Sequence, residues 1–324
     1  MARILGGLAL SLAAVIALGP LNAKDLPRIR AAVLEIGTVN WELNTIKRNG
    51  CDTANGFELV LQPFADNGAT RVALEGGVAD IAVIDWIWTA RQRAAGKDYV
   101  FIPYSKAVGG MVVPKDSKAQ SLKDMAGKKI GIAGGPLDKS WLILRAFATQ
   151  EYDMDLVGDT EQVFGAPPLI YKTALQGETD GAINFWHFLA KMRAGGMREL
   201  IAVDDAARAL GLDPDTPLLG YVMKESFIAE HPGIDQKLYD ASRAAKDLLA
   251  KDDAAWEPLR IQMNASNEAE FELLRHGFRA GIPSDAPINI DGADRFLRLM
   301  AKLGGEDLVG AATTLPDGLF ANVK

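Results

Sequence analysis

The sequence predicts an α/β protein built as two lobes, and three observations carry that reading. Short apolar runs alternate with helical patterns over the first 223 residues, which argues for mostly parallel sheets flanked by helices. A mature chain of about three hundred residues exceeds what a single core usually holds. A layout of helix end, glycine turn, aspartate, short apolar strand and tryptophan also occurs twice. Gly77 and Gly177, Asp80 and Asp180, and Trp86 and Trp186 are each 100 positions apart, and the rest of the chain shows no repeat at this spacing. Glycine closes a helix in the left-handed conformation, and the apolar run after it reads as a buried strand, so each unit is a helix feeding a strand. Ligands of open α/β sheets sit beyond the carboxyl ends of the strands, which puts both tryptophans at a binding crevice shared by two lobes.

The elements follow in order. Residues 1–23 hold one charge, Arg3, then an apolar run over 4–18 and small residues ending at Ala23. This is the layout of a secretory signal, with cleavage expected after Ala23 and export to a periplasm. The run is shorter than the roughly 20 residues that span a bilayer, and no later segment approaches that length, so the mature chain is expected not to span a membrane. Strands are expected over 29–35, 57–63, 81–84, 99–103, 111–113, 129–133, 161–164, 182–185, 200–203 and 218–223. Helical patterns lie between them, such as 86–95, closed by Gly96, and 141–149. After Met223 the strands stop and helices follow over 236–250, 268–280 and 293–303. Asn267 and Glu270 read as a capping pair for the second of these, and Gly304-Gly305 end the third. A chain that builds one lobe, then another, then finishes in helices packs those helices back on the first lobe, so the hinge is crossed twice. The crossings are placed at 104–110, where a strand breaks into Gly109-Gly110, and at 221–226. This gives a first lobe of 24–106 and 225–324, and a second of 107–224.

Charge and cysteine content narrow the function. Losing Arg3 with the signal takes the formal net charge from -7 to -8, which argues against nucleic acid or an anionic membrane as partner. The single cysteine, Cys51, forms no internal disulfide and lies too far along to be a lipid-modified first residue. His187, His231 and His276 are scattered, and neither a nucleophile-elbow nor a zinc-protease motif occurs, so no catalytic residues, metal or cofactor are expected.

Four stretches carry a resemblance. They are Ala73-Leu74 through Gly77 to Asp80, Ser121-Leu122-Lys123-Asp124-Met125-Ala126-Gly127-Lys128-Lys129-Ile130-Gly131, Ala174-Leu175 through Gly177 to Asp180, and Gly220-Tyr221-Val222-Met223-Lys224-Glu225-Ser226-Phe227 before His231-Pro232. In this order, over nearly the whole mature chain, they resemble the periplasmic solute-binding proteins of ABC importers, in the nitrate, taurine, sulfonate and thiamine-pyrimidine branch. The resemblance implies a type II periplasmic-binding fold and a monomer that closes over a small organic molecule and hands it to a permease and ATPase. Members that bind small oxyanions resemble one another in placing small hydroxyl or glycine residues after the first-lobe strand. Here Asp85-Trp86-Ile87-Trp88 stands there, which argues against a simple inorganic anion.

The candidate ligand residues are Trp41, Asn67, Thr70, Asp85, Trp86, Gly135, Asp138, Ser140, Trp141, Asn184, Trp186 and His187. Tryptophan faces stack on flat rings and attract cations, and Asp85 could hold an amine or ring N–H. Trp86 and Trp186 are expected to face the cleft, whereas Trp88 is expected in the core. Gly134-Gly135-Pro136-Leu137-Asp138-Lys139-Ser140 lacks the glycines of a nucleotide P-loop but supplies a helix N-terminus, with Asp138 as its cap and Ser140 able to bind an acid group. Arg71 and Lys139 are the nearest cations for such a group. A flat nitrogen heterocycle, an aromatic acid and an amino-sulfonate are the ligand classes left open. A same-fold enzyme of the thiamine-pyrimidine synthase type is the alternative, but such proteins look cytosolic and use a cysteine-rich segment. A sensor subunit that docks on a signalling receptor is the other.

Overall fold

The computed structural model describes residues 26–324, so the expected signal segment and its cleavage site lie outside the described residues. The first lobe begins with β1 (Arg28–Leu34), α1 (Val39–Arg48), α2 (Cys51–Ala54), β2 (Glu58–Phe64), α3 (Asn67–Glu75), β3 (Ile81–Asp85), α4 (Trp86–Ala94) and β4 (Tyr99–Ser105). The chain then changes sheets. The second lobe holds β5 (Gly110–Pro114), β6 (Lys129–Ala133), α5 (Lys139–Tyr152), α6 (Leu156–Asp159), β7 (Glu161–Gly165), α7 (Pro167–Leu175), β8 (Gly181–Asn184), α8 (Trp186–Ala194), β9 (Met197–Ala202) and α9 (Val203–Ala209). β10 (Leu219–Lys224) follows, and then α10 (Glu225–Glu230), α11 (Ile234–Lys251), α12 (Arg260–Met263), α13 (Glu268–Ala280) and α14 (Ile290–Val309).

The two sheets have the same plan. Their strand orders are β2-β1-β3-β10-β4 and β7-β6-β8-β5-β9. β1 pairs in parallel with β2 and β3, as β6 does with β7 and β8. In each sheet the strand that enters from the hinge, β10 or β5, runs antiparallel to both neighbours while the others share one direction. The match extends beyond the strands and corrects the expectation that only one unit repeats. α1 and α5 begin at 39 and 139, α3 and α7 at 67 and 167, and α4 and α8 at 86 and 186.

The paired glycines and aspartates have a shared structural cause. Gly77 (φ 72°) and Gly177 (φ 74°) take the left-handed conformation that ends α3 and α7. Asp80 then accepts from the Arg30 N–H of β1 at 2.8 Å, and Asp180 from the Lys129 N–H of β6 at 2.9 Å. Each carboxylate pins the start of one strand to its parallel neighbour.

One boundary changes. A second lobe running to residue 224 would include β10, but β10 lies inside the first sheet, between β3 and β4. The return crossing therefore falls in 210–218. An apolar strand pattern reports burial and not which sheet it joins, so the sequence left this open. Of the terminal helices, α11 covers α1 and α14 covers α4, while α13 reaches across and packs on α8 of the second lobe.

Candidate functional site

A cavity of about 320 Å³ lies between the lobes, at the carboxyl ends of β1, β3 and β8. The first lobe lines it with the starts of α1 and α3 and with Asp85, and the second with the start of α5 and the turn from β8 into α8. The hinge residues Ala107–Gly109 and Leu218–Leu219 form its floor. Seven of the expected residues meet here: Asn67, Thr70 and Asp85 from one lobe, and Asp138, Ser140, Trp186 and His187 from the other.

Five do not line it. Trp86 is 1% exposed, with Phe296 of α14 at 5.6 Å and Phe320 at 5.9 Å between ring centroids. The strand-to-helix turn that aims Asp85 into the cleft sends the next side chain into the core, so the expectation of a cleft-facing Trp86 is corrected. Trp141 is likewise buried, edge-on to Phe164. Trp41 is buried behind Trp186, with ring centroids 5.8 Å apart. Asn184 is a buried structural link. Its side-chain N–H donates to the Pro167 carbonyl at 3.0 Å and its oxygen accepts from the Phe185 N–H at 2.8 Å. Gly135 lies outside the cavity lining.

Trp186 owes its place to residues of the other lobe and its terminal helices. The indole rests against Trp41 and against Gly277 on α13, where an added Cβ would stand 2.7 Å from Cε3. Half-buried there, it keeps one side on the cavity.

The charges of the cleft are compensated from within. The Asp85 carboxylate caps α4 by accepting from the Trp88 N–H at 2.9 Å. It also accepts from Lys139 Nζ of the second lobe at 3.0 Å, with Arg71 at 3.8 Å. Burial alone would raise its pKa, but Lys139, the Trp88 N–H and Arg71 together hold it below the ordinary carboxylate value. Asp138 caps α5 through the Trp141 N–H, and burial raises its pKa. Burial, helped by Lys191, pushes His187 down to about 3, so its imidazole is neutral. Its Nδ1 has no hydrogen-bond partner among the described residues.

Sequence reasoning missed Thr38, Tyr104 and Phe185 in the lining. Thr38 and Phe185 precede α1 and α8, the helix-start signal that singled out Asp138. Tyr104 sits on a hinge strand, which composition does not mark. Among the described residues no group of three or more His, Cys, Asp or Glu side chains converges as for a metal, and no helix is long and apolar enough to cross a membrane.

A family model described as NMT1/THI5 like matches residues 47–255. No curated protein matches the chain significantly. Among solved structures, the periplasmic aliphatic sulphonate binding protein SsuA from Escherichia coli is 17% identical, with 90% of this chain and 98% of that one covered and a TM-score of 0.69. The alkanesulfonate-binding protein SsuA from Xanthomonas axonopodis pv. citri, bound to MOPS, is 16% identical over 90% and 95% of the two chains, with a TM-score of 0.64. A desulfurization enzyme, DSZB, is 15% identical over 90% and 97%, with a TM-score of 0.55. At these identities the likeness is one of fold, and the fold is shared by binding proteins and an enzyme.

Proposed function

The chain belongs to the NMT1/THI5-like family, and from that premise we propose that it is a periplasmic solute-binding protein that captures a small organic molecule and delivers it to an ABC permease driven by an ATPase. One observation carries the reading: the cavity is shared between two lobes of the same plan, each giving side chains to it. Contacts from both lobes exist only when they meet, so a ligand there shifts the open–closed population toward closure. The same fold also carries an enzyme. The cleft supports binding, because Thr70, Arg71 and Asp85 of the first lobe and Ser140, Phe185 and Trp186 of the second surround one cavity, so a ligand there is held by both lobes at once.

The ligand is a molecule with a flat apolar part and a polar end. Trp186 and Phe185 offer the aromatic wall, and Arg71, Lys139 and Ser140 the polar one. A nitrogen heterocycle and an aromatic acid suit this division, an amino-sulfonate would meet its polar wall alone, and the cavity is at the small end of the roughly 300–1,000 Å³ of ligand pockets. Residues 1–23 act as the signal, and the mature protein begins near Lys24.

A thermal-shift screen over these three classes tests the reading, since binding to the native state raises stability by about 2.7 kcal/mol at a hundredfold excess over Kd. A stabilising compound should then bind one-to-one by calorimetry without added metal or nucleotide, and its uptake by vesicles carrying the permease should require this protein. Uptake independent of the protein would overturn the proposal. Mass spectrometry of the exported chain should show the start near Lys24, and an intact Met1 on the exported form would contradict the signal.

A further inference from the structure

The ion pair between Asp85 and Lys139 joins residues far apart in the chain, on opposite lobes. Asp85 ends β3 of the first lobe, and Lys139 opens α5 of the second. Their side chains meet at 3.0 Å and keep only 8% and 21% of their exposure. Separating the lobes would not leave the two equally served. Asp85 would retain the Trp88 N–H at 2.9 Å and Arg71 at 3.8 Å, both from its own lobe. Lys139 has no other ion-pair or hydrogen-bond partner for its ammonium among the described residues. The contact is therefore available to the closed arrangement alone.

The pair and the cavity also coexist. About 320 Å³ remains open with the bond formed, and both side chains lie on its wall. The pair does not occupy the space of a ligand.

We propose that Asp85 and Lys139 form a latch that populates the closed state before any ligand arrives, and so determine how tightly the receptor holds its ligand. The proposal rests on the two-lobed receptor reading and adds its regulation. A pair retained in the liganded form lowers the work of closure for every ligand. Its loss reduces the competent fraction and weakens apparent affinity by the same factor.

The test uses no ligand. In a Cys51→Ser background, spin labels on Ala65→Cys and Ala166→Cys, exposed positions just before α3 and α7, report the distance between lobes by pulsed electron resonance. The unliganded protein should show a populated short distance. Lys139→Met and Asp85→Asn should each lower the ratio of short to long distance by about tenfold, and Lys139→Arg should restore most of it. Asparagine caps helices as well as aspartate does, so Asp85→Asn removes the charge and keeps α4. Circular dichroism checks that each variant folds, and Lys139→Gln replaces Lys139→Met where needed. A short-distance population unchanged in both charge-removing variants, or missing from the parent, would overturn the latch. Either result leaves ligand capture intact, and failure of the ligand screen would leave the latch measurement standing.

Discussion

Alanine at position 277 would place a methyl group 2.7 Å from Trp186 Cε3 and 2.8 Å from Cζ3. Cβ atoms essentially never approach other heavy atoms below 3.0 Å, so something must move. The indole has little room, because Trp41 backs it edge-on and Trp41 is itself packed against Trp256 and Phe278. Overpacking of this kind costs ~1–3 kcal/mol. Gly277 lies inside α13, where alanine is better than glycine by ~0.5–1 kcal/mol, so the net expectation for Gly277→Ala is a loss of roughly 0–2.5 kcal/mol. In a Trp186→Ala background the clash is gone and only the helical gain remains. The same substitution should then stabilise by ~0.5–1 kcal/mol, reversing its sign and giving a coupling of about 1–3 kcal/mol. Urea unfolding of the four proteins measures this directly. Stabilisation of equal size in both backgrounds would refute the claim that α13 holds Trp186 against the cleft.

Three further outcomes follow from the same packing. Trp86→Ala should cost about 3–5 kcal/mol of stability and leave the affinity of the folded fraction unchanged, whereas Trp186→Ala should weaken binding by about 1–3 kcal/mol; melts paired with calorimetry separate them, and reversed effects would contradict the assignment. Glu42→Gln should cost about 3–5 kcal/mol in denaturant unfolding, because Lys246 lies 2.7 Å from Glu42 with both fully buried and would be left uncompensated; a loss under about 1 kcal/mol would show that the ammonium finds water. The stability that Asp85 contributes, read as the difference from Asp85→Asn, should be fully present above about pH 4 and lost as pH falls through its depressed folded value; a difference already gone by about pH 5.5 would refute the low pKa.

Local signals in this chain proved legible where local physics decides the outcome. The glycine turns at 77 and 177, the Asn267 cap of α13 and the Asp138 cap of α5 are set by residues within a turn of one another. What the sequence hid is set by partners distant in the chain. β10 reads as a buried strand, yet its place between β3 and β4 depends on pairing with residues more than a hundred positions earlier. Lys139 reads as a cation for a ligand's acid group, and its pairing with Asp85 of the other lobe is set by how the two lobes meet.

The tryptophans show this most sharply, since Trp86 and Trp186 occupy equivalent places in two lobes of one plan and still differ in role. The difference comes from the terminal segment, which has no counterpart in the second lobe. α14 and Phe320 cover Trp86 completely, while α13 meets Trp186 with a glycine and a wall of aromatic rings and leaves one side open. A repeat in sequence therefore predicts where equivalent side chains start, and the non-repeated helices decide which of them reaches the ligand. On this argument Trp186 and Phe185 come to the cleft from the second lobe and Asp85 with Arg71 from the first, and a molecule held between them must satisfy an asymmetric site built on a symmetric frame.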